Sequence, residues 1–406
     1  MTSAVDVGVA QRRTLAVLVV SQVFSGLGLG AGITVGALLA QDLLGSTGLS
    51  GLPSALFTAG AAVAAAGVGR LSNARGRRPG LAAGYATGTL GSAGVVVAAV
   101  TGSVALLVVS LMAYGAATAT NLQARYAGAD LAEPGHGGRA VSRVLVTMTL
   151  GGVLGPTLAE PTGDVAAALD IPRLAGPFLL SGVAYATAAL VLVVFLRPDP
   201  LLLAREVAAR ADTGTAGADP GGHRAGMVLG AVVMGLTQVV MVAIMTMTPI
   251  HLHDHGHGTA ASGLVIAIHI AAMYLPSPLS GRLVDRYGPH PVAVSAGLVL
   301  LLAGVVAAAA PPSSVWLVTV ALGLLGLGYN LGLVSGTAII TSTVPLAVRA
   351  RAQGSVDVTI AVSGAAGGLS SGFVVAGSSF AALALGSGVL ALALVPIVLA
   401  SRRRVG

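Results

Sequence analysis

The stretch MVAIMTMTPIHLHDHGHG, residues 241–258, gathers sulfur and imidazole ligands in a chain that has no cysteine. Met241 and Met245 stand four apart, which on a helix places them on one face about 40° from each other. Met234 and Met227, at steps of seven before Met241, fall close to that face. One segment later HIAAM repeats the four-residue spacing with His269 and Met273. Six of the nine methionines (Met227, Met234, Met241, Met245, Met247 and Met273) fall in the two consecutive helices expected here. Thioethers with an imidazole form a soft ligand set suited to Cu(I). Hard ions such as Mg²⁺ and Ca²⁺ want oxygen, and zinc favours thiolate or carboxylate. Methionine is also a flexible apolar filler, so either stripe taken alone fits core packing.

Between the two segments His251, His253, His255 and His257 alternate along the chain, with Asp254 among them. As a flexible loop this H-x-H-D-H-x-H run is expected to capture a metal ion through neutral imidazoles, failing below about pH 6 as they protonate. Its other reading is a set of solvated polar residues.

These residues need elements to hold them. The chain has 406 residues, 55% hydrophobic and 9% charged, against about a quarter charged in soluble proteins. Its apolar blocks of about 20 residues match the hydrocarbon thickness that a helix of that length crosses. They lack two-residue alternation, which argues against a β-barrel. Twelve spanning helices are expected, near 14–40, 52–69, 80–102, 104–126, 142–159, 177–196, 227–250, 259–280, 291–310, 315–343, 354–376 and 380–400. The first is too long for a cleaved signal. All 21 basic residues are arginine; with both termini cytoplasmic, Arg173 alone falls outside, as the positive-inside rule prefers. The net charge of +7 is therefore topological, and no nucleic-acid partner is implied.

Counted from the outer helix ends at about 1.5 Å per residue, Met241 and His269 reach one depth, with Met245 shallower and Met273 deeper. No carboxylate falls clearly within a span: Glu160 and Asp357 lie near ends, and Asp130, Asp199 and Asp285 fall in loops. Asn121, Gln123 and Arg125, near the inner end of the fourth span, are placed to line a cytoplasmic vestibule, unless Arg125 snorkels to the interface.

The Pro- and Gly-bearing segment 197–226 reads as a cytoplasmic linker, with a short surface helix over 201–210, between six-helix halves 1–196 and 227–406. The halves echo one another. GRLSNARGRRPG (69–80) follows the second span, and GRLVDRYGPHPV (281–292) follows the eighth. Both resemble the G-x-L-x-D-R-x-G-R-[RK] signature of the major facilitator superfamily. The first matches at Gly69, Leu71, Gly76, Arg77 and Arg78, with Asn73 replacing the acid. The second matches at Gly281, Leu283, Asp285, Arg286 and Gly288, then departs at Pro289 and His290. Glycines allow close approach, and the arginines are expected to dock on helix ends and carboxylates as a gating latch. GGVLGPTLAEP (151–161) partly resembles the G-x-x-x-G-P motif of antiporter members, although Gly151 and Gly155 also suit a packing face.

Within that superfamily MVAIM and HIAAM look like the paired M-x-x-x-M and H-x-x-x-M motifs of the CcoA-like copper importers (the CalT family). That resemblance implies copper import across the bacterial inner membrane, supplying cbb3-type cytochrome c oxidase. It assigns Met241, Met245, His269 and Met273 as copper ligands. Copper is then cargo, no cofactor is expected, cytoplasmic thiols or copper chaperones are the expected recipients, and the protein is expected to be a monomer in the bilayer. No nucleotide-binding glycine loop or catalytic constellation is present, so transport is expected to be secondary. The alternative is a proton-coupled drug or metabolite antiporter.

Overall fold

The computed structural model describes residues 6–44, 52–210, 220–257, 259–311 and 313–402. Where described, the chain is helical. The helices are α1 (Val7–Leu44), α2 (Leu52–Arg75), α3 (Arg77–Thr101), α4 (Val104–Ala129), α5 (Gly137–Thr157), α6 (Ala159–Ala168), α7 (Gly176–Phe195), α8 (Pro200–Arg210), α9 (Pro220–Asp254), α10 (Thr259–Tyr274), α11 (Ser277–Tyr287), α12 (Pro289–Ala309), α13 (Val315–Thr343), α14 (Arg349–Gly377), α15 (Phe380–Leu392) and α16 (Leu394–Arg402).

Among the described residues eleven helical segments are long and apolar enough to cross a membrane. The fifth expected span is helical, as α5, but is not one of the eleven. The eighth expected span is broken into α10 and α11 beside Pro276 and Pro278, which remove amide donors from the helical ladder. The expected surface helix in the linker is present as α8; Asp199 receives the Leu201 and Leu202 amides and supplies its cap.

The chain forms two compact units. The first comprises Met1–Ala132, Arg143–Thr215 and Leu346–Ala361; the second comprises Glu133–Ser142, Ala216–Pro345 and Val362–Gly406. A cut at the linker alone therefore misses two short segments, the beginnings of α5 and α14, each of which belongs with the opposite half of the sequence.

Small residues set the spacing within each unit. A Cβ on Gly60 of α2 would lie 1.9 Å from the Met112 carbonyl oxygen of α4, and one on Gly304 of α12 would lie 2.4 Å from the Ala384 carbonyl of α15. Lipid is as apolar as leucine, so such close contact, not hydrophobic burial, drives helix association there. Between α2 and α3, Gly76 has φ of +98°; between α11 and α12, Gly288 has φ of +82°. These left-handed turns at matching places in the two halves are open to glycine and strained for other residues.

Gly60→Ala is expected to cost about 1–3 kcal/mol by forcing α2 from α4. Gly67→Ala, on the same helix with open space around it, is expected to leave the melting temperature of the purified protein unchanged.

Candidate functional site

In the second unit, α13 aligns the two helices that carry the candidate ligands. It runs antiparallel to α9, with Gly336 against Met234 and Gly332 against Thr237, and the Thr337 hydroxyl points to the Met234 sulfur at 3.8 Å. Continued by one and two turns, that register brings Met241 to the height of Tyr329 and Met245 to that of Leu325. Helix α10 runs parallel to α13: Gly326 lies against the His269 carbonyl and Met273 amide, and Asn330 Nδ2 donates to the Met273 carbonyl at 2.7 Å. His269 thus lies at the level of Met245, and Met273 at that of Met241. The pairing by depth differs from the expected match of Met241 with His269. Counting from helix ends misses the offset that glycine-to-backbone contact on α13 imposes.

The state of His269 follows from its partners. Its side chain is fully buried, and Nδ1 lies 2.8 Å from the Leu322 carbonyl oxygen. A carbonyl only accepts, so Nδ1 carries the proton and Nε2 holds the lone pair. Nε2 is buried and has no hydrogen-bond partner among the described residues. An imidazole anchored through one nitrogen with the other left as a donor atom has the form of a metal ligand held by an outer carbonyl. Met241 and Met273 are buried, Met245 is half-buried, and Met247 is buried.

The histidine run is only partly a loop: His251 and His253 lie in α9, and His255 and His257 lie past its end. Helix α9 continues through Asp254 and stops at Gly256, whose φ is +81°. On a helix alternate residues diverge. His251 and His255, one turn apart, have ring centroids 4.5 Å apart; His255 Nδ1 lies 2.7 Å from the His251 carbonyl oxygen, and the His251 ring stacks on Phe380 at 4.3 Å. His253 and Asp254 are exposed, and His257 is half-buried. Among the described residues no group of three or more His, Asp or Glu side chains is arranged to hold a metal ion.

The two signature loops do different work. In the second unit, Asp285 accepts from the Gly138 and Arg139 amides at 2.7 and 3.1 Å and lies 3.4 Å from Arg139 Nε. A carboxylate there caps the start of α5 and meets the positive end of its dipole. Gly281 lies against the Gly138 carbonyl, and Arg286 lies over the Tyr287 ring at 5.3 Å. In the first unit Gly69 packs on Gly354 at the start of α14. Asn73, in the place equivalent to Asp285, instead accepts from Arg205 at 3.0 Å. Arg77 is fully buried, bonded to Asp130 at 2.7 and 3.2 Å and to Gln353 at 2.5 Å. Arg78 donates its amide to Asp199 at 2.7 Å. Arg77 docks its guanidinium on the Asp130 carboxylate and the Gln353 side-chain amide, while Asp199 takes only the backbone amide of Arg78; none of these partners lies in the motif itself.

Two expectations are corrected. Asp357 does not sit at a span end: it lies two turns inside α14 and is 3% exposed. Arg125 does not snorkel or line a vestibule. It is fully buried and bonds Asp357 Oδ1 at 2.9 Å, the Tyr126 hydroxyl at 2.8 Å and the Leu122 carbonyl at 2.6 Å. Asn121 and Gln123 are likewise buried; Asn121 joins Gln22, Ser25 and Tyr85, and Gln123 donates to the Ala65 carbonyl at 2.8 Å. A signal for the buried pair exists in the sequence, since a carboxylate and an arginine each interrupt an apolar run.

Two units of long apolar helices with repeated glycine–arginine turns define a multi-pass membrane carrier. The family model of the Major Facilitator Superfamily matches residues 18–273 and 227–405, and the chain belongs to that superfamily. It is a secondary transporter and not an enzyme. It is 54% identical over 404 residues to the uncharacterized MFS-type transporter YdeG of Bacillus subtilis (strain 168), covering 97% of this chain and 93% of the relative. It is 29% identical over 400 residues to the riboflavin transporter RfnT of Brucella anthropi, covering 96% of each. Among solved structures it is similar to the human organic anion transporter MFSD10, with a TM-score of 0.75 and 16% identity over 96% of this chain and 99% of that one.

Asp130→Asn is expected to strand the Arg77 charge and cost about 3–5 kcal/mol. Asp164→Asn, which removes the exposed partner of Arg173, is expected to cost at most about 1 kcal/mol. Thermal melting of the two purified variants separates these outcomes.

Proposed function

We propose that this transporter imports copper across the bacterial inner membrane, with Met241, Met245, His269 and Met273 as the intramembrane ligand set. The observation that carries the reading is His269: Nδ1 held by the Leu322 carbonyl, Nε2 buried and unpartnered. Methionines share its level and the next one. Neutral thioethers and a neutral imidazole bind a monovalent soft ion without building a deep charge trap, so the ion can also leave. The arginine distribution favours cytoplasmic termini, and thiols or copper chaperones on that side are the recipients. Alternating access then delivers the ion without nucleotide hydrolysis. His251 and His255, one turn apart at the end of α9, serve as an outer pair from which copper enters, with His253, Asp254 and His257 secondary.

A second reading is an organic cargo. It is favoured by the 29% identity to a riboflavin transporter and by the buried Gln22, Ser25, Tyr85 and Asn121 cluster of the first unit.

Radioactive copper uptake by cells making equal amounts of protein tests the proposal. Met241→Ala, Met245→Ala, His269→Ala and Met273→Ala are each expected to lower uptake at limiting copper by roughly tenfold or more. Undiminished uptake in all four rejects the ligand set. Loss of copper uptake only on adding excess riboflavin, with riboflavin itself accumulated, supports the organic reading.

A further inference from the structure

The first unit carries, on the outside of α2, α3 and α4, an apolar groove of about 380 Å³. Leu71 and Ala83 line one end of it, and Gly60 and Met112 the other. Its middle is bare because Gly67 of α2 is exposed, with no described atom within 4 Å of where a Cβ would stand. Other glycines of these helices admit a neighbour: Gly60, Gly84 and Gly91 would each bring a Cβ within 2.3 Å of an adjacent helix. Gly67 makes no such contact, and a glycine weakens a helix by about 1 kcal/mol against alanine. What it does provide is depth in the groove.

Length and lining say what fits there. From Gly60 to Leu71 the groove runs about 16 Å along α2, at about 1.5 Å per residue. That is half of the roughly 30 Å hydrocarbon core, the depth of one leaflet. Thr87 is the one hydroxyl-bearing residue of the lining, and it donates back to the Ala83 carbonyl at 2.9 Å. A polar ligand therefore finds no side-chain donor in this wall, whereas a chain of methylenes meets only glycine, alanine, valine, leucine and methionine around that spent hydroxyl.

Charge stands at one end. Gly60, Ala64, Gly67, Leu71 and Arg75 follow one another at helical spacing on the groove side of α2. Arg75 closes the helix one turn beyond Leu71, is exposed, and makes no ion pair among the described residues. Long side chains on a helix lean back over the preceding turn, which directs this one toward Leu71. A guanidinium at the end of a leaflet-deep apolar slot matches a phosphate joined to an acyl chain. Bulk lipid wets any outward helix face, but it accounts for neither the bare glycine nor the alignment of the slot with Arg75.

We propose that the groove binds one acyl chain of an anionic phospholipid, with the lipid phosphate at Arg75. The chain fills space that no described side chain fills and braces α2, which glycine contact holds against α4. The proposal rests on the membrane-carrier class and holds whichever cargo is carried.

Native mass spectrometry tests it on the full-length protein, delipidated in detergent and titrated with phosphatidylglycerol or with phosphatidylcholine of the same chains. The wild type is expected to form a one-to-one complex with phosphatidylglycerol at about fivefold lower concentration, since one arginine beside an anionic headgroup is worth about 1 kcal/mol. Arg75→Gln is expected to erase that preference. Arg282→Gln, which removes an exposed arginine of the second unit, is expected to keep it. Gly67→Leu and Ala83→Leu, filling the groove from either wall, are each expected to abolish the one-to-one complex while eluting as monodisperse protein. Should Gly67→Leu fail to fold, Ala83→Leu decides. Equal retention of both lipids by the wild type, or an intact complex in a folded leucine variant, overturns the proposal. Displacement of the lipid by inorganic phosphate at like concentration also overturns it, because the site would then recognise phosphate without the chain.

Discussion

A membrane interior offers no water to a stray polar group, and every buried amide, hydroxyl or charge in this protein must answer to that constraint. Apolar side chains gain little by leaving lipid for one another, so helices come together through small residues that admit a neighbouring backbone. Gly60 on α2, Gly304 on α12 and Gly326 on α13 do this. Once backbones are that close, the polar side chains between them have fixed partners, and the few that lack one stand out.

The charged groups follow the same logic. Arg77 and Arg125 are fully buried, and each meets a carboxylate, Asp130 and Asp357. Within each pair the charges offset one another, while each pair remains costly to break from one side only. The second unit uses a cheaper device: Asp285 meets the amides at the start of α5, where the helix end supplies partial positive charge without a buried cation. The two signature loops are thus alike in backbone, with a left-handed glycine after each, and unlike in electrostatics. Asn73 in place of an acid is the sequence change behind that difference, because an amide is a weaker cap for a helix dipole and is free to serve Arg205 instead.

The orphaned atoms mark where chemistry can occur. Among the described residues His269 Nε2 and Asp357 Oδ2 are both buried acceptors without partners, and an unpaired buried polar group typically costs about 1–3 kcal/mol. They lie in different units, His269 in the second and Asp357 in the first.

Much of this was readable in the residues alone. Length, the scarcity of charge and the spacing of apolar blocks determined a helical membrane protein with two related halves, since hydrocarbon thickness translates directly into residue count. The repeated glycine–arginine turns determined the superfamily, and the four-residue spacings of Met241/Met245 and His269/Met273 placed each pair on a helical face. Other features depended on contacts far apart in sequence. Helical periodicity says which residues share a face but not how one helix is offset against another, so the levelling of His269 with Met245 was decided by the packing of α9 and α10 on α13. The histidine run carries loop-like residues, yet α9 extends into it as far as Asp254, with His251 stacked on Phe380 from a distant segment. Arg125 and Asp357 lie 232 positions apart; each alone reads as an interfacial residue, and only the tertiary structure joins them, because a charge can stay buried only where the fold delivers its partner.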